Sequence, residues 1–113
     1  MKKESKKLYE GIYIFNASLS EDALKTSLKR VVKAIEENEG EVQKIHDMGR
    51  KKLAYEIKGH KQGYYFLLYF VVAPSVIVEM WKKYHLNEDL IRFMTMCTDV
   101  VLEEIQFKSL LET

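Results

Sequence analysis

The stretch Gly49-Arg50-Lys51-Lys52-Leu53-Ala54-Tyr55-Glu56-Ile57-Lys58, with Gly63-Tyr64-Tyr65-Phe66-Leu67-Leu68-Tyr69-Phe70 soon after it, decides the fold. A basic cluster opens an alternating run, which marks a half-buried strand. The second run is apolar almost throughout and bounded by glycine and proline, which marks a buried strand. Gly49 reads as a bulge in a long second strand that begins near Glu41. Gly59-His60-Lys61-Gln62-Gly63 reads as a five-residue hairpin loop joining the two strands. In the second strand Lys51, Leu53, Tyr55 and Ile57 share a face. In the third, both rows are apolar: Tyr64, Phe66, Leu68 and Phe70 on one side, Tyr65, Leu67, Tyr69 and Val71 on the other. A strand apolar on both sides needs cover on both sides.

Working outward, Leu8 to Phe15 is rich in β-branched and aromatic residues and reads as a first strand. Ser20 is a helix N-cap followed by Glu21 and Asp22, where the helix dipole favours acids. Leu24, Leu28, Val31, Val32 and Ile35 then form one apolar stripe at helical period, closed by Gly40. Pro74 stops the third strand. Ser75 reads as the cap of a second helix whose Ile77, Met80, Trp81 and Tyr84 share a buried face, with Glu79 and Lys83 as an i,i+4 pair. Asn87-Glu88-Asp89 is a turn before a last strand, Leu90 to Thr98. The order β-α-β-β-α-β implies an α+β, ferredoxin-like sandwich, with two helices on one face of a four-stranded antiparallel sheet.

Strand parity assigns the faces. In the first strand Leu8, Glu10, Ile12 and Ile14 share one side and Tyr9, Tyr13 and Phe15 the other. A carboxylate buried under helices is costly, so Glu10 points to the open face and Tyr13 packs beneath the helices. The same logic turns Arg92 outward and Phe93 and Thr95 inward. An RNA-recognition-motif reading, with aromatics of the first and third strands stacking on bases, therefore fails at Tyr13. The open face still carries apolar residues, and such patches mark interaction sites. Ile12, Ile14, Phe66 and Leu68 are the candidate partner-protein surface, with the chain's own tail as the alternative cover.

The chain of 113 residues has 47% hydrophobic residues and a net charge of only +1, yet its charges are uneven. Lys44 to Lys61 holds six Lys or Arg against two acids, Asp99 to Thr113 four acids against one Lys, and the first seven residues four Lys against one Glu. These divide the chain into a basic arm (1–7), a single domain (8–98) and an acidic tail (99–113). Basic clusters of this kind face phosphate. Cys97 is the sole cysteine, so a reducing cytoplasm is the expected compartment. The N-terminal lysines are not followed by an apolar segment of signal-peptide length. His46, His60 and His85 have no metal-ligand spacing, Cys97 has no partner cysteine, and no phosphate-binding glycine loop occurs. Neither an enzyme nor a cofactor or metal site is expected.

The run from Gly49 to Lys58 also resembles a known signature. Glycine, mostly basic residues, then Leu-Ala-Tyr-x-Ile-Lys is similar to the bacterial small-subunit ribosomal protein six family. Tyr9-Glu10, Gly63-Tyr64-Tyr65 and Asn87 to Met94 extend the resemblance from Tyr9 to about Cys97. The resemblance implies the same fold. It also implies a structural role on the ribosome, with binding to the central domain of 16S ribosomal RNA beside small-subunit protein eighteen. Carried over on the signature, Arg50, Lys51 and Lys52 become candidate phosphate contacts, as does Arg92, which matches a basic position of the family's last strand. The family often has a second basic residue beside it, where this chain has Ile91. Lys2 and Lys3, with Lys6 and Lys7, are further candidates. The alternative function is a dimeric ferredoxin-like regulatory or small-molecule-binding domain.

Overall fold

A computed structural model describes residues 5–103. Its elements are β1 (Lys7–Asn16), α1 (Glu21–Glu37), β2 (Glu41–Ile57), β3 (His60–Val72), a 3-10 turn (Pro74–Val76), α2 (Ile77–His85) and β4 (Leu90–Cys97). All strand pairs are antiparallel, in the order β2-β3-β1-β4, so β2 and β4 are the two edges. This is the ferredoxin-like sandwich that the alternation of periods implies. None of the helices among the described residues is long and apolar enough to cross a membrane.

The sheet separates two apolar clusters. Tyr13, Phe15, Phe66, Leu68 and Phe70 pack beneath the helices against Val31, Ile35, Met80 and Tyr84. Ile12, Ile14, Leu53, Tyr65, Leu67, Tyr69 and Ile91 form the second cluster on the opposite side. The facing of β1 and of Arg92 agrees with the parity argument. Phe66 and Leu68 do not belong on the open side: they are 5% and 0% exposed in the helix-side core. Register gives the reason, because Phe66 lies opposite Tyr13 and Leu68 opposite Gly11. Directly paired residues share a face, so the outer row of β3 is Tyr65, Leu67 and Tyr69.

Several local expectations are corrected. The β2–β3 connection is a two-residue turn, Lys58-Gly59, with φ of 50° and 83° and with Ile57 already paired to His60. Two central residues with positive φ are what the tightest hairpin turn demands, and the glycine supplies one at no steric cost. Ser75 lies inside the 3-10 turn, and α2 begins at Ile77, its N-cap Val76 making no side-chain cap. Glu79 pairs with Lys82 at 3.2 Å, while Lys83 reaches across to Glu37 of α1 at 3.5 Å. Trp81 is not core: it is 37% exposed and donates its indole N–H to Thr95 Oγ1 at 3.3 Å.

Ser20 does cap α1, its hydroxyl accepting from the Ala23 amide at 3.1 Å. The far end closes with the Glu39 amide on Glu36 O (3.0 Å) and the Gly40 amide on Ile35 O (2.9 Å). The left-handed residue there is Glu39, φ 61°, and not the glycine. Gly40 is required for space, because a Cβ would sit 2.3 Å from Val72 Cγ1 and 2.8 Å from Ile35 O. Gly40→Ala is therefore expected to lose about 1–3 kcal/mol through overpacking. Glu39→Gly relieves a left-handed residue and is expected to be neutral or stabilising by up to about 1 kcal/mol. Urea unfolding of both variants checks the contrast, and an unchanged Gly40→Ala midpoint contradicts it.

The helix-side core holds a polar pair, Tyr13 Oη and Tyr84 Oη at 3.1 Å, with the rings edge to face at 5.3 Å. Burial pushes Tyr84 up to about 12, opposed by its bond with Tyr13. Burial also raises Tyr13 well above the ordinary tyrosine value, and Tyr84 adds to the shift. A folded-state pKa above the unfolded value of about 10 means the stabilisation is intact below pH 10. It is lost as pH rises through the folded value. The urea midpoint should thus fall above about pH 10, and two tyrosines should ionise only with unfolding in an ultraviolet titration. Ionisation of every tyrosine in the folded protein at pH 10 contradicts the buried pair.

Candidate nucleic-acid and partner interface

The long strand β2 places the basic side chains Arg50, Lys51 and Lys52. Asp47 Oδ1 accepts from the Gly49 amide at 3.0 Å, and the register shifts between Asp47 and Gly49. That is the bulge the glycine implied, with φ 81° at Gly49. Beyond it Arg50 pairs with Tyr64, Lys51 with Gly63 and Lys52 with Gln62. Tyr64 packs on the helix-side cluster, so Arg50 and Lys52 face that side, and Lys51 faces the open side. The three cations of the signature are split between the two faces.

Their environments differ accordingly. The Arg50 guanidinium donates twice to the Ala17 carbonyl, from Nε at 3.2 Å and Nη2 at 3.0 Å. It thereby fixes the β1–α1 loop. Next to it Tyr64 Oη donates to both oxygens of Asp47, at 2.7 and 2.9 Å. That hydrogen bond, and then burial, raise the Tyr64 pKa, while Arg50 pulls it down. Lys52 is exposed. Lys6 is exposed, and Lys7 opens β1 as an exposed residue. Lys2 and Lys3 lie outside the described residues.

Past Lys52 the hairpin changes course. From Lys52 to Ile57 β2 advances five residues while β3 advances only the two from His60 to Gln62. The surplus swings the β2 arm over the open side, where Leu53 is 6% exposed against the Ile14 cluster. Tyr55 reaches the opposite edge of the sheet and accepts a 2.5 Å hydrogen bond from Arg92 Nη1. The guanidinium carbon of Arg92 also lies 6.0 Å from the Tyr55 ring centroid. Tyr55 is 62% exposed and Arg92 is exposed, so this cation–aromatic unit faces solvent. Among the described residues no carboxylate pairs with Arg92. Ile91 is an extra residue at the register shift between Ile14 and Phe15 and packs into the open-side cluster. The position is a packing site here and not a second cation.

The tail covers the other end. After β4 the Thr98 amide donates to Leu8 O at 3.0 Å. Val101 packs on the cluster, and His46 Nε2 donates to Leu102 O at 2.7 Å. Lys44 meets Glu103 at 3.1 Å. Ile105 and Phe107 lie outside the described residues. Ile12 and Ile14 are on the open side as the alternation implied, but hairpin, neighbours and tail leave them 4% and 7% exposed. Among the described residues Met94, Met96, Val100 and Leu102, besides Tyr55, stay accessible there.

Sequence reasoning missed the Tyr55–Arg92 contact, because β2 and β4 are opposite edges and only the hairpin's fold-back joins them. Among the described residues no group of three or more His, Cys, Asp or Glu could hold a metal ion. Burial of Leu53 leads to a direct expectation. Leu53→Ala should cost about 2–5 kcal/mol. Leu53→Asp, which adds a buried charge, should abolish cooperative folding. A cooperative thermal melt of Leu53→Asp near the parent temperature contradicts this packing role.

Comparison with known proteins adds to this geometry. The family described as Ribosomal protein S6 matches residues 8–97. The chain is 54% identical over 112 residues to the small ribosomal subunit protein bS6 of Chlamydia abortus, covering 99% of this chain and 100% of the relative. It is similar to the same extent to its counterpart in Chlamydia trachomatis serovar L2. The crystal structure of 30S ribosomal protein S6 from Thermotoga maritima superposes with a TM-score of 0.78 at 31% identity, over 82% of this chain and 88% of that one. The C-terminal domain of MgtC from Mycobacterium tuberculosis, at 11% identity and TM-score 0.59 over 92% of this chain and 100% of that one, shares the fold alone.

Proposed function

The chain belongs to the ribosomal protein S6 family, and on that premise we propose that it binds the central domain of 16S ribosomal RNA together with small-subunit protein eighteen. The family makes it a structural protein of the small ribosomal subunit, cytoplasmic, RNA-associated and not an enzyme. The observation that carries the finer reading is the Arg92–Tyr55 unit. It is an exposed cation held in place by the Tyr55 hydroxyl and ring, with no carboxylate among the described residues paired to it. Phosphate contacts of this kind position a protein on RNA without reading sequence.

Lys51, on the same side of the sheet, and Lys52 at the bulge add to the basic surface. Arg50 has a different weight, since its fork already serves Ala17 O and a phosphate would have to share it. The protein partner is proposed for the open side, on the accessible ground of Met94, Met96, Val100 and Leu102. Ile12 and Ile14 support that surface from beneath. A homodimer pairing two open sheets has less to gain, because the chain's own hairpin and tail cover the second cluster.

The test is binding to a central-domain RNA fragment, with and without protein eighteen, at two salt concentrations. Tight, salt-sensitive binding that needs the partner supports the proposal. Arg92→Ala and Lys51→Ala should each flatten the log–log salt dependence by somewhat under about one unit. Arg50→Ala should instead lower thermal stability more than it changes the salt slope. Absence of binding under every condition would falsify the RNA assignment.

A further inference from the structure

We propose that the outer edge of β4 is a docking site for an extended, acidic and apolar segment of a partner protein, added to the sheet as a fifth strand. The proposal goes beyond the RNA reading, since it concerns the backbone edge of β4 and requires no nucleic acid, although its groove shares Arg92, Met94 and Met96 with the surfaces named above.

The two edges of the sheet are built differently. β2 carries Glu41, Lys44, Asp47, Arg50, Lys51 and Lys52, the charged side chains and bulges by which edges repel unwanted strands. β4, of sequence Leu-Ile-Arg-Phe-Met-Thr-Met-Cys, has one charge and no proline. Backbone polarity on this edge can be assigned. The Thr98 amide points at Leu8 of β1. By the alternation of an antiparallel ladder, the amides and carbonyls of Phe93, Thr95 and Cys97 then point outward.

A groove of about 640 Å³ follows this edge, walled on one side by α2. Its apolar ground includes Trp81, Met94 and Met96, which are 37%, 41% and 51% exposed. A buried tryptophan would have been part of the core, whereas this one lies over the edge with its indole fixed by Thr95. Methionine surfaces adapt to varied apolar side chains. Among the described residues the ionisable side chains lining the groove are Lys58, His85, Arg92 and the phenol of Tyr84, with no carboxylate beside them. Main-chain pairing supplies affinity in strand addition, and alternate side-chain positions supply specificity. An apolar segment with acidic residues complements both the methionines and the cationic rim. An RNA strand complements the cations but lacks the regular amide–carbonyl repeat that matches the outward groups of a strand edge, which favours the peptide.

The experiment selects displayed random peptides of about ten residues, enough to run the length of β4, on the full chain. Amide hydrogen exchange is then measured with the enriched peptide. Enrichment of sequences alternating apolar and acidic residues, with protection of Phe93, Thr95 and Cys97, is the expected result. Thr95→Pro removes an outward amide at a position where an edge strand tolerates proline. Lys58→Asn removes a rim charge and leaves the favourable Asn-Gly turn pair. Each should weaken the peptide about tenfold or more, equivalent to about 1.4 kcal/mol. Because Lys58→Asn keeps the ladder intact, it decides the matter if Thr95→Pro does not fold. No enrichment, or protection mapped elsewhere, overturns the proposal. So does protection of this edge by a uridine decanucleotide but by no peptide, or by self-association of the chain alone.

Discussion

Everything in this fold follows from one constraint: the third strand is apolar on both faces and must be covered on both. Phe66, Leu68 and Phe70 take the helices, and Tyr65, Leu67 and Tyr69 need something else. Two helices can cover only one face of a four-stranded sheet. The chain solves the second face by lengthening β2 past the end of β1 and folding the hairpin back, then laying the start of its tail over Tyr69. The bulges at Gly49 and beyond Lys52 are the devices that let one strand serve first as sheet and then as lid.

That solution rearranges the functional surface. A cluster of three cations in consecutive positions looks like a patch in the sequence, but a strand sends neighbours to opposite faces. Arg50 becomes a brace on the β1–α1 loop, while Lys51 joins the side that carries Arg92. The most distinctive exposed unit pairs residues 37 positions apart on opposite edges, Tyr55 and Arg92. Fold-back thus does two things with one segment: it buries Leu53 for stability and delivers Tyr55 to a cation. Surface ion pairs such as Lys44–Glu103 contribute little by comparison, since both partners are solvated.

The two sheet edges show how stability and assembly are divided. β2 is charged, bulged and self-protecting; β4 is short, nearly uncharged and flanked by an exposed tryptophan. A small domain keeps such an edge at some risk of unwanted pairing.

By itself the sequence determined the element order, the helix-side row of β1, the Ser20 cap, the Gly49 bulge and the outward turn of Arg92. These are short-range properties: periodicity, capping chemistry and the cost of burying Glu10 beneath helices. The family was also legible, in the run from Gly49 to Lys58. Tertiary structure alone decided which row of β3 faces the helices, because both rows are equally apolar and only the register with Tyr13 breaks the tie. It alone placed Trp81 at an edge, 37% exposed, although its spacing on α2 suits a core residue. It shortened the hairpin loop to Lys58-Gly59, because pairing of Ile57 with His60 outweighs the turn propensity of Gly63. Gly63 is instead kept for space, its missing Cβ leaving room for Ile14 at 2.3 Å. Contacts between segments distant in sequence leave no local pattern, and only the folded chain reveals them.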